Sequence, residues 1–137
     1  MFEPADAAAQ IVHVIRTALP EVIAVYRFGS TARGQATVGS DVDLAVLAST
    51  RVAAEARWTL QEQLADTLRR AVDLVDLRQA STVMASQVVT TGELLFDGDP
   101  VARGHFEDLV YTTYARLNEE RRGILDRVAA EGTVYGR

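Results

Sequence analysis

The chain predicts a fold of the α/β (α+β) class: a small mixed β-sheet flanked by helices, with one long C-terminal helix. Three observations carry this. Short runs of strand-forming residues alternate with longer stretches whose apolar residues recur at helical spacing. At 137 residues the chain is long enough to bury a core without disulfides or structural metals. Its hydrophobic share of 48% and charged share of 24% match an ordinary globular protein, so neither disorder nor a membrane bundle is expected.

The elements follow in order. Residues from about 5 to 19 predict a helix, because Pro4 suits a first turn and Ile11, Val14, Ile15, Ala18 and Leu19 share one face. Pro20 ends it. Val22 to Phe28 is a short, mostly apolar run of strand formers. Gly29 to Ser40 is loop-like, with room for one helical turn near Thr31 to Arg33. Val42 to Leu47 predicts a strand buried on both faces. Thr50 is a candidate cap for the next helix, whose apolar line is Ala53, Ala56, Leu60, Leu64 and Leu68. Val72 to Leu77 predicts a third strand. Ser81 or Thr82 opens a short helix that ends at Gly92, and Glu93 to Phe96 forms a fourth strand closed by Asp97-Gly98. Asp99-Pro100 caps and starts the last helix. Phe106, Leu109, Val110, Leu117, Ile124, Leu125 and Val128 lie along it, Gly104 and Gly123 weaken it, and Gly132 stops it.

Composition removes several chemistries. There is no cysteine, so disulfides, thiolate nucleophiles and zinc–thiolate sites are excluded. There is no lysine either: all 14 basic residues are arginine, which excludes a P-loop lysine and a Schiff base. Only His13 and His105 could serve as imidazole bases. A net charge of −5 argues against direct nucleic-acid binding, which calls for a basic surface. Glu3 and Asp6 precede the apolar residues of the first helix with no basic region, unlike a signal peptide. No apolar stretch reaches the length of a membrane span. The expectation is a cytoplasmic protein.

The run from Gly29 to Leu47 carries the chemistry. Asp41 and Asp43 alternate with Val42, so on a strand both point to the same side. Two ionised carboxylates that close repel each other, and without a cation one tends to take up a proton. Magnesium resolves the conflict, since it prefers hard oxygen ligands and shares its shell with substrate phosphates. Two such ions about 4 Å apart would clamp the attacking and leaving oxygens of an in-line phosphoryl displacement. Gly29 directly follows a strand and lets a phosphate approach the backbone. Ser30 adds a hydroxyl donor, and a helical turn at Thr31 to Arg33 would aim free N–H groups at the anion. Arg33 could grip phosphate as a fork or brace the loop against a carboxylate. A lone Gly-Ser is usually a turn and a lone Asp-x-Asp a solvated strand end. Together, with Asp41 entering an apolar strand, they point to phosphate and metal, because buried unpaired carboxylates are costly.

A third acid would complete a two-metal site. Asp73 and Asp76 are both available on the third strand, and their odd separation puts them on opposite sides. Only one can join Asp41 and Asp43. Asp73 sits near the start of its strand, as Asp41 and Asp43 do on theirs, which favours it over Asp76.

These residues resemble the nucleotidyltransferase superfamily of DNA polymerase β, whose signature is Gly-Ser, a spacer, then Asp-x-Asp, with a third carboxylate on a later strand. Here Gly29-Ser30 is followed by a ten-residue spacer and Asp41-Val42-Asp43. The chain is most similar to the minimal nucleotidyltransferases (MNT proteins) through Thr-Ala-Arg-Gly, Ser-Asp-Val-Asp-Leu, Val-Asp-Leu-Val and Gly92-Glu-Leu-Leu-Phe. The last helix and the Gly132-Thr-Val-Tyr-Gly136 tail resemble the MNT antitoxins of HEPN–MNT pairs. The resemblance implies a polymerase-β-like fold and a single nucleotidyltransferase domain over residues 1–137, with a catalytic core over about 5–97 and a C-terminal helix over about 99–131. It implies Asp41, Asp43 and Asp73 as catalytic metal ligands for Mg2+. Gly29, Ser30, Arg33 and Ser40 would bind the nucleotide. ATP would be the substrate, and a tyrosine hydroxyl of a HEPN-family toxin the acceptor of AMP. Two other readings stand beside it: adenylyl transfer to a small molecule such as an aminoglycoside, and neutralisation of the partner by binding alone.

The remaining residues read more plainly. His13 and His105 are expected to be solvated, and Trp58 to pack at a helix edge rather than stack a base. Arg69 and Arg70 suit a helix C-terminus, and Arg121 and Arg122 a solvated face. Tyr111, Tyr114 and Tyr135 are candidates for a partner surface, with core packing equally open to the first two.

Overall fold

The computed structural model describes residues 4–29 and 41–130, with side chains from residue 7 onward. These residues form α1 (Pro4–Ala18), β1 (Val22–Phe28), β2 (Val42–Ala48), α2 (Ala54–Leu68), β3 (Val72–Asp76), α3 (Thr82–Thr91), β4 (Glu93–Asp97) and α4 (Pro100–Ala130). The strands make one mixed sheet in the order β3-β2-β1-β4. β1 is antiparallel to both β2 and β4, and β2 is parallel to β3. A parallel pair needs a crossover connection, which α2 supplies.

Apart from Asp43, β2 is apolar, because both of its faces are covered. Val42, Leu44 and Val46 turn to the side of α1 and α2, where Ile11, Ile15, Leu60 and Leu64 fill the core. Ala45 and Leu47 turn to the side of α3 and α4, against Ala85, Val88 and Val110. Fully burying a side chain of this kind stabilises the fold by about 1.5–3 kcal/mol. β3 and β4 are left as the two edges.

Helix starts follow local chemistry in two cases and not in a third. The Ser81 hydroxyl accepts the Met84 N–H at 3.1 Å, and Asp99 Oδ1 accepts the Ala102 N–H at 3.1 Å. Thr50, however, is not a cap. α2 begins at Ala54, its N-cap position is Ala53, and no side chain caps it. The approach to α2 is held from a distance instead: the Val52 N–H donates to Asp76 Oδ2 at 2.7 Å. α2 ends at Arg69, which adopts φ 55°, the left-handed conformation that closes a helix.

α4 runs unbroken for 31 residues through Gly104 and Gly123. Its apolar line is only partly used. Val110 is its one buried residue among those described, whereas Leu109, Ile124 and Leu125 are 62%, 52% and 67% exposed. The helix meets α3 and β1 and then outruns the sheet. A polar network ties its first part down. The Tyr26 hydroxyl donates to Glu107 Oε2 at 2.7 Å, and Arg103 Nη1 donates to Glu107 Oε1 at 3.1 Å. Arg103 Nε lies 3.0 Å from Asp97 Oδ2. Burial, and then the bond to Glu107, push the Tyr26 phenol well above its ordinary value, so it stays a donor. Hydrogen bonding to Asp97 holds Arg103 firmly protonated. No helix among the described residues is long and apolar enough to cross a membrane.

Candidate active site

The site grows from the ends of three neighbouring strands. β1 finishes at Phe28, which lies opposite Asp43 in the antiparallel ladder. The chain then turns at Gly29 with φ 75°, a conformation that costs glycine nothing. The turn lays the Gly29 backbone against Asp43. A Cβ at position 29 would overlap Asp43 Oδ2 and stand 3.2 Å from Cγ. Glycine is therefore required twice over, by its backbone angle and by the carboxyl group beside it.

Across the parallel pair, Asp43 is in register with Asp73. Adjacent strands lie about 4.8 Å apart, and paired residues turn to the same face, so these two carboxylates are neighbours. Asp43 is half-buried and Asp73 exposed. Asp41 stands one residue before β2 and is exposed. Among the described residues no three acids or histidines gather into a ready-made metal cluster. The Asp43–Asp73 pair offers only hard oxygen donors, which suits a cation that keeps several places for phosphate and water.

Asp76 lies elsewhere. It pairs with Val46, on the side of α1 and α2, and is 3% exposed. Its carboxylate accepts the Val52 N–H at 2.7 Å, Gln79 Nε2 at 2.8 Å and the Arg78 N–H at 3.0 Å. It is a buried brace for the chain on either side of α2 and β3. The two acids thus face opposite sides, as their spacing requires, and Asp73 is the one beside Asp43.

Ser30, Arg33 and Ser40 lie outside the described residues, as do the expected turn at Thr31 to Arg33, Gly132 and Tyr135. His13 and His105 are exposed, as are Arg121 and Arg122. Trp58 is 57% exposed. Tyr111 is exposed and its hydroxyl lies 3.5 Å from the Val89 carbonyl, while Tyr114 is half-buried.

Sequence reasoning passed over two polar arrangements near the site. One is the Tyr26–Glu107–Arg103 network behind β1. The other is a pair on α2, Arg57 and Gln61, that reaches the backbone of β3 at Leu74. Their spacing of four residues was the available signal, since such residues share a helix face. A groove of about 270 Å³ opens at this edge, with Arg57, Asp73 and Gln79 in its lining.

Residues 9–101 match the family described as Polymerase beta, Nucleotidyltransferase. The chain is 40% identical over 121 residues to the protein adenylyltransferase MntA of Shewanella oneidensis, covering 88% of this chain and 86% of that one. Among solved structures it is similar to a toxin–antitoxin crystallised with AMP-PNP. There the identity is 39% and the TM-score 0.80, over 89% of this chain and 98% of the other. It is also similar to a chain in the complex of tri-AMPylated Shewanella oneidensis HEPN toxin with MNT antitoxin. That match has 37% identity and a TM-score of 0.74, over 90% of this chain and 96% of the other. The family match reaches from α1 to the start of α4 and takes in Gly29, Asp41, Asp43 and Asp73. The chain belongs to the polymerase β nucleotidyltransferase family.

Proposed function

We propose that this protein is an antitoxin adenylyltransferase that moves AMP from ATP to a tyrosine hydroxyl of a HEPN-family toxin. The observation that carries the reading is the cross-strand pair Asp43–Asp73 beside the Gly29 backbone, in a chain 40% identical to a protein adenylyltransferase. Solved relatives described as a toxin–antitoxin with AMP-PNP and as an AMPylated HEPN toxin with its MNT antitoxin support the nucleotide and the acceptor.

In this reading residues 1–137 act as one nucleotidyltransferase domain, with α4 extending from the catalytic core. Asp41, Asp43 and Asp73 would hold Mg2+, with two ions expected. Magnesium, when bound, offsets the charge of the phosphates and of the oxygens entering and leaving phosphorus. Gly29 lets the triphosphate lie close to the backbone, and Ser30, Arg33 and Ser40 complete its seat. Asp73, at the sheet edge, faces the incoming tyrosine and takes its proton. The tyrosine oxygen bonds to the α-phosphorus, the bond from that phosphorus to the bridging oxygen breaks, and pyrophosphate leaves. Positioning and charge neutralisation supply most of the rate. The requirement for ATP sets the reaction in the cytoplasm.

The test is the intact mass of a HEPN toxin incubated with this protein, ATP and magnesium. The toxin should gain whole AMP units, and should gain none with Asp41→Asn or Asp43→Asn. Neutralisation of the toxin with no mass change would assign the effect to binding alone. Transfer to an aminoglycoside with none to the protein would assign it to a small-molecule acceptor.

A further inference from the structure

Among the described residues β3 is an edge strand, paired on one side only, to β2. Edge strands open more readily than central ones, because their outward N–H and C=O groups lack a ladder partner. At Leu74, the residue after Asp73, both backbone groups are taken by a single helix. Gln61 Oε1 accepts the Leu74 N–H at 2.8 Å, and Arg57 Nη1 donates to the Leu74 carbonyl at 3.0 Å. Gln61 and Arg57 are one turn apart on α2, so one helix face grips both sides of one residue. Leu74 is itself 1% exposed, locked in the core beneath α2.

The grip acts on a particular part of the chain. The Leu74 N–H belongs to the peptide unit that joins Asp73 to Leu74. The plane of that unit helps to set the direction of the Asp73 side chain, because the backbone has only two soft angles per residue. No carboxylate pairs with Arg57 among the described residues; its guanidinium holds a neutral carbonyl. Such a contact fixes geometry rather than balancing charge.

We propose that Arg57 and Gln61 are positioning residues for the reaction: by clamping the Leu74 backbone they set where the Asp73 carboxylate stands relative to Asp43. The inference rests on the reading of Asp73 as the third metal ligand. A displacement of about 1 Å at a reacting group can cost about a hundredfold in rate, and loosening one edge should displace Asp73 by less.

The experiment uses the full chain with Arg57→Ala and Gln61→Ala, singly and together, beside Arg57→Lys and Asp73→Asn. Manganese binding in the presence of AMP-PNP is followed by electron paramagnetic resonance. AMP transfer to a HEPN toxin gives kcat and KM for ATP, and hydrogen exchange reports the Leu74 amide. The double variant should bind manganese roughly tenfold more weakly and lose roughly tenfold in kcat, with KM for ATP little changed. Arg57→Lys should recover most of the loss from Arg57→Ala, and the Leu74 amide should exchange faster in the double variant. If the double variant does not fold, Gln61→Leu, which removes only the acceptor, should show the same weakening of manganese binding. Faster exchange at Leu74 with manganese affinity and kcat unchanged would reduce the clamp to an edge cover and overturn the inference. Wild-type behaviour of Asp73→Asn would overturn both the inference and the reading of Asp73. An inactive Asp73→Asn beside fully active clamp variants would overturn the inference alone.

Discussion

The Asp43 carboxyl group rests against the Gly29 backbone at a position where glycine holds φ 75°. Gly29→Ala should therefore damage the protein in two ways. The left-handed backbone costs an L-residue about 1–2 kcal/mol, and the new methyl group pushes Asp43 out of place. We expect stability to fall by that amount in urea denaturation. AMP transfer should fall by about a hundredfold or more in single-turnover assays of the folded fraction. Activity near the wild-type level would show that the position of Asp43 does not matter to the reaction.

Asp73 and Asp76 should respond to substitution in opposite ways. Asp73 is exposed, so Asp73→Asn should leave stability within about 0.5 kcal/mol of wild type while abolishing transfer. Asp76→Ala removes the acceptor of three hydrogen bonds and strands the buried Val52 N–H. It should cost about 3 kcal/mol, with activity per folded molecule largely kept. Thermal melts paired with active-site titration separate the two. An inactive but fully stable Asp76→Ala would reverse the assignment.

Tyr26 should give the protein an alkaline limit. Its phenol is raised in the folded state by burial and by Glu107. The proton is thus retained when folded but lost from the unfolded chain above its ordinary value of about 10. The unfolded state then binds fewer protons than the native state, so stability falls as pH rises. The contribution is complete below pH about 10 and is lost progressively above it. Tyr26→Phe should lower stability at pH 7 by about 1–2 kcal/mol, through the Glu107 acceptor left behind. It should also flatten the decline above pH about 10 relative to wild type. Denaturant midpoints measured between neutral and strongly alkaline pH provide the check; parallel curves for the two proteins would remove Tyr26 as the cause.

The two ends of the hydrophobic inventory should differ sharply. Leu64 is fully buried between α2 and the sheet, and Leu64→Ala should cost about 2–5 kcal/mol. Leu125 is 67% exposed on the far part of α4, and Leu125→Ala should change stability by less than about 0.5 kcal/mol. Urea denaturation of the isolated protein measures both, and a large loss for Leu125→Ala would mean that the far part of α4 is held by the fold.

Much of this was legible from residue order alone. The odd spacing of Asp73 and Asp76 guaranteed that only one could share the side of Asp43. Its place near the start of its strand favoured Asp73, and the parallel register of β2 against β3, a pairing across the length of α2, puts Asp73 beside Asp43. Thr50 failed as a cap for a related reason: Asp76 holds the Val52 N–H across a separation of 24 residues, so the local signal was overridden by a tertiary contact. The Tyr26–Glu107 bond spans 81 residues and left no trace in periodicity. The apolar line of α4 was read correctly as a line, but spacing does not reveal where the sheet beneath a helix ends.

Tyr26 and Gly29 lie three residues apart at the end of β1, a span of roughly 10 Å. One fastens α4; the other backs Asp43. The seat of the long helix and the lie of the Asp43 carboxyl group are therefore written into one short stretch of main chain. Evolution or engineering cannot re-angle the helix through β1 without also re-aiming the acid, and a change tolerated at one calls for a compensating change at the other.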